Sequence, residues 1–220
     1  MKHLTKTPPL MTRHRKALAT VVGLATGIVS ACASAQIELP RTVVAENRDS
    51  AAGASAVADV PISLQANLGA RILTVSKGNT KLRTYAVAVG NPKYPTPQGI
   101  YRIRKIVWNP SWHPPPGSDW AKGKKPQGPG DPKNPMKVVK IFFREPDYYI
   151  HGTNDLESLG SAESHGCLRM DPSEAADLAK MIMENGGQPR GENWFWRIIH
   201  FRSEEKVVYL DNPIFLTVVD

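Results

Sequence analysis

Short segments in which apolar and polar residues alternate recur from position 60 onward, and they limit the folds that the chain can adopt. A period of two is typical of strands that bury one face against a core. A turn-forming Gly78-Asn79 pair separates the first two segments, and a turn at 95–99 precedes the third. The segments span 71–75, 82–89, 100–107, 138–143 and 148–150. This alternation predicts a domain that consists mainly of β-strands.

One helix is clearly marked after these strands. Asp171 and Pro172 are residue types preferred at the N-cap and at the first helical position. Apolar residues then recur at helical spacing as far as Gly186-Gly187, a pair typical of helix ends. The predicted buried face of the helix consists of Ala175, Leu178, Ala179, Ile182 and Met183.

The last part of the chain has a weaker pattern. The aromatic-rich segment 194–201 does not favour a helix over a strand. Residues 206–210 and 214–219 alternate again, and Asn212-Pro213 between them has the composition of a turn. We therefore expect two closing strands that are joined by a turn.

The N-terminus has the features of an export signal. A basic stretch precedes an apolar run at 17–31, which is too short to span a bilayer as a stable anchor. Two cleavage sites compete: Ala33-Ser34-Ala35 suits ordinary signal peptidase, whereas 29–32 resembles a lipobox that would leave Cys32 as a lipidated N-terminus. The first is slightly favoured because the apolar run is rich in Ala and Gly. A start at Met11 would give a signal of more usual length.

The formal net charge is +8, but residues 1–31 hold five Lys or Arg and no acid, which leaves +3 for the rest. This excess is small and lacks basic runs with interleaved aromatics, so it does not indicate a nucleic-acid partner. Residues 36–59 are rich in Ala, Ser and charged residues without an apolar period, which predicts a flexible linker. The expected organisation is a signal peptide at 1–35, this linker, and one folded domain at 60–220.

A thiol, two imidazoles and a glycine occur close together in His151-Gly152-Thr153 and the segment 164–170. A free cysteine has a pKa of about 8.5 and is mostly protonated at neutral pH, and histidine is the side chain best suited to take its proton. Gly166 permits a close turn beneath Cys167, where main-chain N–H groups can face a developing oxyanion. The combination indicates acyl transfer through Cys167.

The sequence H-G-T, a spacer and S-H-G-C-L-R-M resemble the signature of the YkuD-type L,D-transpeptidases, which remodel bacterial cell walls. Cys167 lies sixteen positions after His151, a separation typical of that family. The T-P-x-G element at 96–99 and the W-N-P-S-W-H-P-P segment at 108–115 resemble the same domain. The resemblance implies a catalytic domain at 60–220 that is mainly β, a sandwich or open barrel with a few short helices.

The resemblance also implies that Cys167 is the nucleophile and that His151 exchanges its proton. His165 is the alternative base, but neighbouring side chains on an extended segment point to opposite faces, so we expect it to shape the pocket or bond the substrate. Ser164 is expected to be a structural hydrogen-bonding residue. For Arg169 two interpretations have similar weight, a clamp on a substrate carboxylate and an internal ion pair.

Other candidate residues belong to the loops around the motif. Gly152 and Thr153 are expected to serve the loop after the catalytic histidine, with the Thr153 carbonyl orienting the imidazole. The long loop 109–135 is rich in Pro and Gly and contains several tryptophans. These either cover the core or form a wall over the substrate groove. His113 in this loop is expected to be exposed.

The two other uses of the cysteines are disfavoured. A zinc site built from Cys167, His151 and His165 lacks the usual ligand spacings, so we expect no metal. A disulfide between Cys32 and Cys167 would consume the only thiol of the motif.

The activity that the resemblance implies is that of a peptidoglycan L,D-transpeptidase without metal or organic cofactor. The Cys167 thiolate attacks a tetrapeptide stem, D-alanine leaves, and an amine acceptor resolves the thioester to form a 3→3 crosslink. The alternative is a hydrolase, an L,D-carboxypeptidase or endopeptidase, that uses water at the same site. Penems and carbapenems are the expected inhibitors.

The expected partners are peptidoglycan stem peptides, with an envelope lipoprotein as a further candidate acceptor. The expected location is the periplasm or cell envelope of a bacterium. Contact with a membrane is expected only through a lipid anchor at Cys32.

Overall fold

The computed structural model describes residues 60–220 of the 220-residue chain. The predicted signal peptide, the linker and Cys32 lie outside these residues and stay predictions. The strands are β1 (Ile62–Asn67), β2 (Ile72–Lys77), β3 (Thr80–Ala86), β4 (Gly99–Trp108), β5 (Lys137–Arg144), β6 (Tyr148–Gly152), β7 (Leu168–Met170) and β8 (Lys206–Val219). The α-helices are α1 (Pro172–Asn185) and α2 (Glu192–His200). Among these residues, neither helix is long and apolar enough to cross a membrane.

The eight strands form one sheet in the order β3-β2-β1-β8-β4-β5-β6-β7. The pairs β1/β8 and β6/β7 are parallel, and the other neighbouring pairs are antiparallel. The chain that leaves the edge strand β3 reaches the opposite edge, where Ala88 exchanges backbone hydrogen bonds of 3.0 and 2.9 Å with Arg169 of β7. The sheet is therefore nearly closed into a barrel, which confirms the predicted mainly β class.

The core is formed by the sheet together with helices α1 and α2. The side chain of Asp171 accepts hydrogen bonds from the backbone N–H groups of Ser173 and Glu174, as expected of an N-cap. Gly187 has φ +83° and follows the last turn, which confirms the predicted helix end. The indole N–H of Trp108 donates to Met183 Sδ at 3.3 Å. The largest fully buried side chains are Trp108, Leu64, Leu73, Ile103, Ile106, Ile141, Ile150, Leu168, Met170, Leu178, Ile182 and Met183.

Two expectations for the last part of the chain are settled by tertiary contacts. Residues 194–201, which had no clear pattern, belong mainly to helix α2. The predicted turn at Asn212-Pro213 is wrong, because β8 continues through it as one strand. Its register against β4 shifts at this point, so that the residues around Pro213 form a bulge. The bulge is held because the N–H groups of Asp211 and Asn212 donate to the Gly186 carbonyl at 3.0 and 3.1 Å.

Truncation of the buried face of α1 should destabilise the fold. Leu178 is fully buried, so Leu178→Ala should lower the free energy of unfolding by about 2–5 kcal/mol through lost burial and a residual cavity. Leu82 on β3 is 44% exposed and serves as the matched control, with an expected loss below about 1 kcal/mol. Urea unfolding followed by tryptophan fluorescence measures both, and equal losses would contradict this placement of the core.

Candidate active site

The site is built on the parallel pair β6 and β7. Ile150 of β6 pairs with Leu168 of β7, and both side chains are buried in the core. Because successive side chains in a strand alternate between faces, the residues beside them lie on the opposite face, where a cavity opens. The cavity-facing residues of this pair are Tyr149, His151, Cys167 and Arg169. Local alternation and parallel register together thus bring the predicted nucleophile and the predicted base to one surface.

The cavity has a volume of about 720 Å³. One wall is the strand pair with the motif residues, and the other is the long loop that precedes β5. The predicted site residues that line the cavity are Cys167, His151, His165, Ser164, Arg169 and Thr153. Gly166 and Gly152 are not among the lining residues, and they support the site from beneath.

The imidazole of His151 is buried and oriented by its own strand. Its Nδ1 lies 2.8 Å from the carbonyl oxygen of Gly152. A carbonyl only accepts hydrogen bonds, so Nδ1 carries the proton and Nε2 remains an acceptor. The expectation that the Thr153 carbonyl would orient the ring is wrong, since the Gly152 carbonyl does so. Burial lowers the pKa of His151 to about 3, and the positive charges of Arg169 and Lys140 act in the same direction, so the ring is neutral at neutral pH.

Cys167 is a free, half-buried cysteine immediately before β7. Its thiol donates to the carbonyl oxygen of Asp147, with Sγ 3.3 Å from that atom. Burial raises the pKa of the thiol to about 11, opposed by a hydrogen bond from the Tyr149 backbone N–H and by the charges of Lys140 and Arg169. The resting site therefore pairs a neutral thiol with a neutral imidazole.

Gly166 is required by the turn that presents the thiol. It has φ +108°, and a Cβ atom there would lie 2.9 Å from Cε1 of Tyr148. Ser164 braces the turn, because its hydroxyl donates to the Cys167 carbonyl at 2.5 Å and accepts the Gly166 N–H at 3.1 Å. Ser164 is thus structural, as predicted. The Gly166 N–H is used within the loop, which narrows the oxyanion prediction to the N–H groups of His165 and Cys167.

His165 lies on the same side as the nucleophile. Both side chains line one cavity, as expected of a residue that shapes the pocket. Residues two apart share a face of an extended segment, which agrees with this placement. The His165 ring stacks on Trp120 with centroids 4.1 Å apart and planes at 21°. This contact connects the motif to the long loop.

The other predicted site residues have structural partners. Arg169 forms an ion pair with Asp155, with Nη1 3.0 Å from Oδ2, which is the internal pair that was one of its two interpretations. The Thr153 N–H donates to the Met170 carbonyl at 2.9 Å. A Cβ atom at Gly152 would lie 2.6 Å from the Lys137 carbonyl oxygen, so only glycine fits there. These contacts hold the loop after the histidine against β5 and β7.

The loop 109–135 forms a wall of the cavity and also packs internally. Trp112 is buried and belongs to a small cluster with Met136 and Tyr149. Trp120 lines the cavity beside the motif. One tryptophan of the loop is therefore packed in a hydrophobic cluster and another forms part of the cavity wall, so each of the two interpretations describes part of the loop. His113 is exposed, as expected.

Lys140 is a charged neighbour of the site that the sequence patterns missed. It pairs with His151 across β5 and β6, and its Nζ lies 4.8 Å from the ring centroid of Tyr149. The ammonium donates to the Ser111 carbonyl at 2.7 Å, and burial lowers its pKa. Only the long-range strand register places this cation beside the site, so no local signal identified it.

Within residues 60–220, no group of three or more His, Cys, Asp or Glu is arranged to hold a metal ion.

The lowered pKa of His151 predicts a pH dependence of stability. Between pH 6.5 and about 3, the unfolded state binds a proton at this ring that the folded state does not, so stability falls as pH falls. Between pH 7 and pH 5 the His151 ring should therefore lower the free energy of unfolding by about 2 kcal/mol. His151→Gln lacks the titrating ring, so its unfolding free energy should fall by about that much less. Urea unfolding at the two pH values measures both proteins. If wild type and His151→Gln lose the same free energy of unfolding between pH 7 and pH 5, the argument that burial lowers the pKa of His151 is contradicted.

The raised pKa of Cys167 predicts a late thiol titration. Thiolate absorbance near 240 nm, taken as the difference from Cys167→Ala, should rise at a pH above the ordinary cysteine range because burial disfavours the anion. Lys140→Met should shift this titration further upward, because it removes a cation that favours the thiolate. The matched control is Lys81→Met, an exposed lysine on β3, which should leave the midpoint unchanged. A midpoint below the ordinary range would show that the site activates the free thiol by charge alone.

Two solved structures show how the chain compares in three dimensions. An L,D-transpeptidase from Mycobacterium smegmatis aligns with a TM-score of 0.46 and 20% identity, over 73% of this chain and 59% of that one. L,D-transpeptidase 3 from Mycobacterium tuberculosis, in complex with a faropenem-derived adduct, aligns with a TM-score of 0.48 and 15% identity, over 73% and 60%.

Sequence comparison identifies two relatives and one family profile that match the chain. The putative L,D-transpeptidase YkuD of Bacillus subtilis is 31% identical over 123 residues, 56% of this chain and 62% of that protein. A putative L,D-transpeptidase of Fuscovulum blasticum is 34% identical over 91 residues, 39% of this chain and 46% of that protein. The chain thus matches less than two thirds of the length of either relative. The profile of the YkuD family, described as the L,D-transpeptidase catalytic domain, matches residues 61–192. The chain therefore belongs to the YkuD family of L,D-transpeptidase catalytic domains.

Proposed function

We propose that this protein is a cysteine-dependent peptidoglycan L,D-transpeptidase that releases D-alanine from tetrapeptide stems and forms 3→3 crosslinks. The observation that carries the proposal is the placement of Cys167 and His151 on one cavity face of a parallel strand pair, with His151 Nε2 available as a base. Membership of the L,D-transpeptidase family supports the reaction class.

Acylation begins with a proton transfer, because the resting thiol is neutral. The thiol of Cys167 leaves the Asp147 carbonyl, and His151 Nε2 takes its proton as Sγ attacks the carbonyl carbon of the third stem residue. The N–H groups of His165 and Cys167 are the candidate donors to the oxyanion. The C–N bond to D-alanine then breaks, and the imidazolium gives its proton to the departing amine. A thioester and free D-alanine result.

Deacylation uses the same groups in reverse. An amine on the diamino acid of a second stem attacks the thioester carbonyl, and His151 takes a proton from that amine. The C–S bond breaks, the imidazolium returns the proton to Sγ, and an amide bond joins the two third residues. A neutral imidazole suits both half-reactions, because the same ring accepts a proton from the nucleophile and supplies it to the leaving group.

The buried site suits this stepwise chemistry. A thiol that is ionised only when substrate is present is less exposed to oxidation than a resting thiolate. The cations of Arg169 and Lys140 favour the thiolate once it forms, because both lower the pKa of Cys167. They oppose protonation of His151 as well, so the proton it holds is readily transferred.

The test is mass analysis of muropeptides from a wall rich in tetrapeptide stems. Wild type should yield new dimers that lack one D-alanine, and Cys167→Ala should yield none. His151→Gln should lower the rate by about 10²–10⁴-fold, because it removes the proton carrier. His113→Gln is the matched control, since this exposed imidazole does not line the cavity, and it should retain the wild-type rate.

The products separate the transpeptidase from the hydrolase that shares its first step. Tripeptides without new dimers would identify water as the acceptor and contradict the crosslinking proposal. Intact mass after incubation with a carbapenem provides an independent readout, because the strained lactam carbonyl acylates a competent thiol. An adduct on wild type that is absent from Cys167→Ala is the expected result.

A further inference from the structure

The cavity wall opposite the catalytic strands is positively charged. Lys124, Lys125 and Lys133 all line the cavity, and all three belong to the loop 109–135. Each of them is exposed, so their ammonium groups are available to a ligand. Within residues 60–220, none of the three forms an ion pair. We call this group the lysine wall.

The lysine wall stands on an ordered frame. The backbones of Trp112 and Gln127 exchange two hydrogen bonds, of 2.8 and 2.9 Å, across the base of the loop. The amide of Asn134 is buried and donates to the carbonyls of Pro110 and Gly128 at 2.8 and 2.9 Å. These bonds fix the loop backbone on both sides of the lysines.

One lysine is linked to the motif through the aromatic ring of Trp120. Lys124 Nζ lies 5.2 Å from the centroid of Trp120, whose ring stacks on His165. The charge of Lys124 also contributes to the lowered pKa of His165, after burial and Arg169. Because Lys124 and Cys167 line the same cavity, a substrate bound at Cys167 shares that cavity with this cation.

Few acids offset these charges. The only carboxylates among the lining residues are Asp147 and Asp155. Within residues 60–220, Asp155 is ion-paired with Arg169 and Asp147 forms no ion pair, so the three lysines outnumber the unpaired carboxylates that line the cavity. The excess positive charge on one wall favours a ligand that carries carboxylates on its matching side.

We propose that the lysine wall selects donor stem peptides whose carboxylates near the reacting carbonyl are free over donor stems in which these groups are carboxamides. The inference rests on the proposed function and names the substrate form of that site. A carboxylate accepts charge-assisted hydrogen bonds from the ammonium groups, whereas a neutral carboxamide does not. Each exposed pair contributes little, so the three together should give a preference of about 10-fold.

The test compares two synthetic tetrapeptide donors that differ only in these amide groups. Wild type should release D-alanine from the free-acid donor with a kcat/KM about 10-fold higher at low salt, and the ratio should shrink at 0.5 M NaCl, a concentration of about 3–5 times physiological ionic strength. In the triple variant Lys124→Gln/Lys125→Gln/Lys133→Gln, the ratio should approach one. The matched control is Lys81→Gln/Lys122→Gln/Lys206→Gln, which removes three exposed charges that do not line the cavity and should keep the wild-type ratio.

A second arm identifies which stem supplies the carboxylates. If the lysine wall binds the carboxylates of the donor stem, amidation of the acceptor stem alone should leave the initial rate of D-alanine release unchanged. If the rate of crosslinking changes only when the acceptor is amidated, the lysine wall binds the acceptor stem and the proposal for the donor is wrong.

Binding to Cys167→Ala separates this inference from the proposed function. This variant needs no turnover, and calorimetry should show about 10-fold tighter binding of the free-acid tetrapeptide. If wild type releases no D-alanine but this preference is present and lost in the triple lysine variant, the reaction assignment fails and the inference stands. Equal affinity of Cys167→Ala for both peptides, or an unchanged preference in the triple variant, overturns the inference.

Discussion

The parallel pairing of β6 with β7 is the constraint on which the site depends. β7 has only three residues, yet it is held on both sides. On one side it pairs with β6 in the register that opposes Ile150 to Leu168, and on the other Arg169 exchanges two backbone hydrogen bonds with Ala88. The same bonds to Ala88 nearly close the sheet. The hydrogen bonds that nearly close the sheet therefore also fix the position of Cys167, and a slip of one residue in β7 would turn Cys167 toward the core.

Burial determines the protonation states of His151 and Cys167. It lowers the pKa of His151 and raises that of Cys167, so the ground state holds one mobile proton on sulfur and none on Nε2. Arg169 and Lys140 then favour the thiolate over the imidazolium. The stability cost of a buried histidine at low pH and the late titration of the thiol follow from this same dry environment, which also strengthens any interaction with a developing oxyanion.

Local patterns predicted the elements well where a local cause controls them. The alternating segments became strands, and the Asp171 N-cap and the glycines after α1 bound the helix where expected. The predictions failed where distant residues decide. The turn expected at Asn212-Pro213 is a bulge because β4 and Gly186 hold the chain extended, and α2 became clear only from its packing against Trp108.

The sequence by itself determined the mainly β class and the chemical groups of the motif, because these follow from residue types and short spacings. The resemblance to a known family added the prediction that Cys167 is the nucleophile and His151 the base. Only the tertiary structure decided that the Gly152 carbonyl orients His151, that Ser164 consumes the Gly166 N–H, and that Arg169 pairs with Asp155. It also placed Lys140 and the lysine wall beside the site. These features depend on register and on loop packing between residues far apart in the chain, and the free energies that select them arise only when the folded surfaces meet.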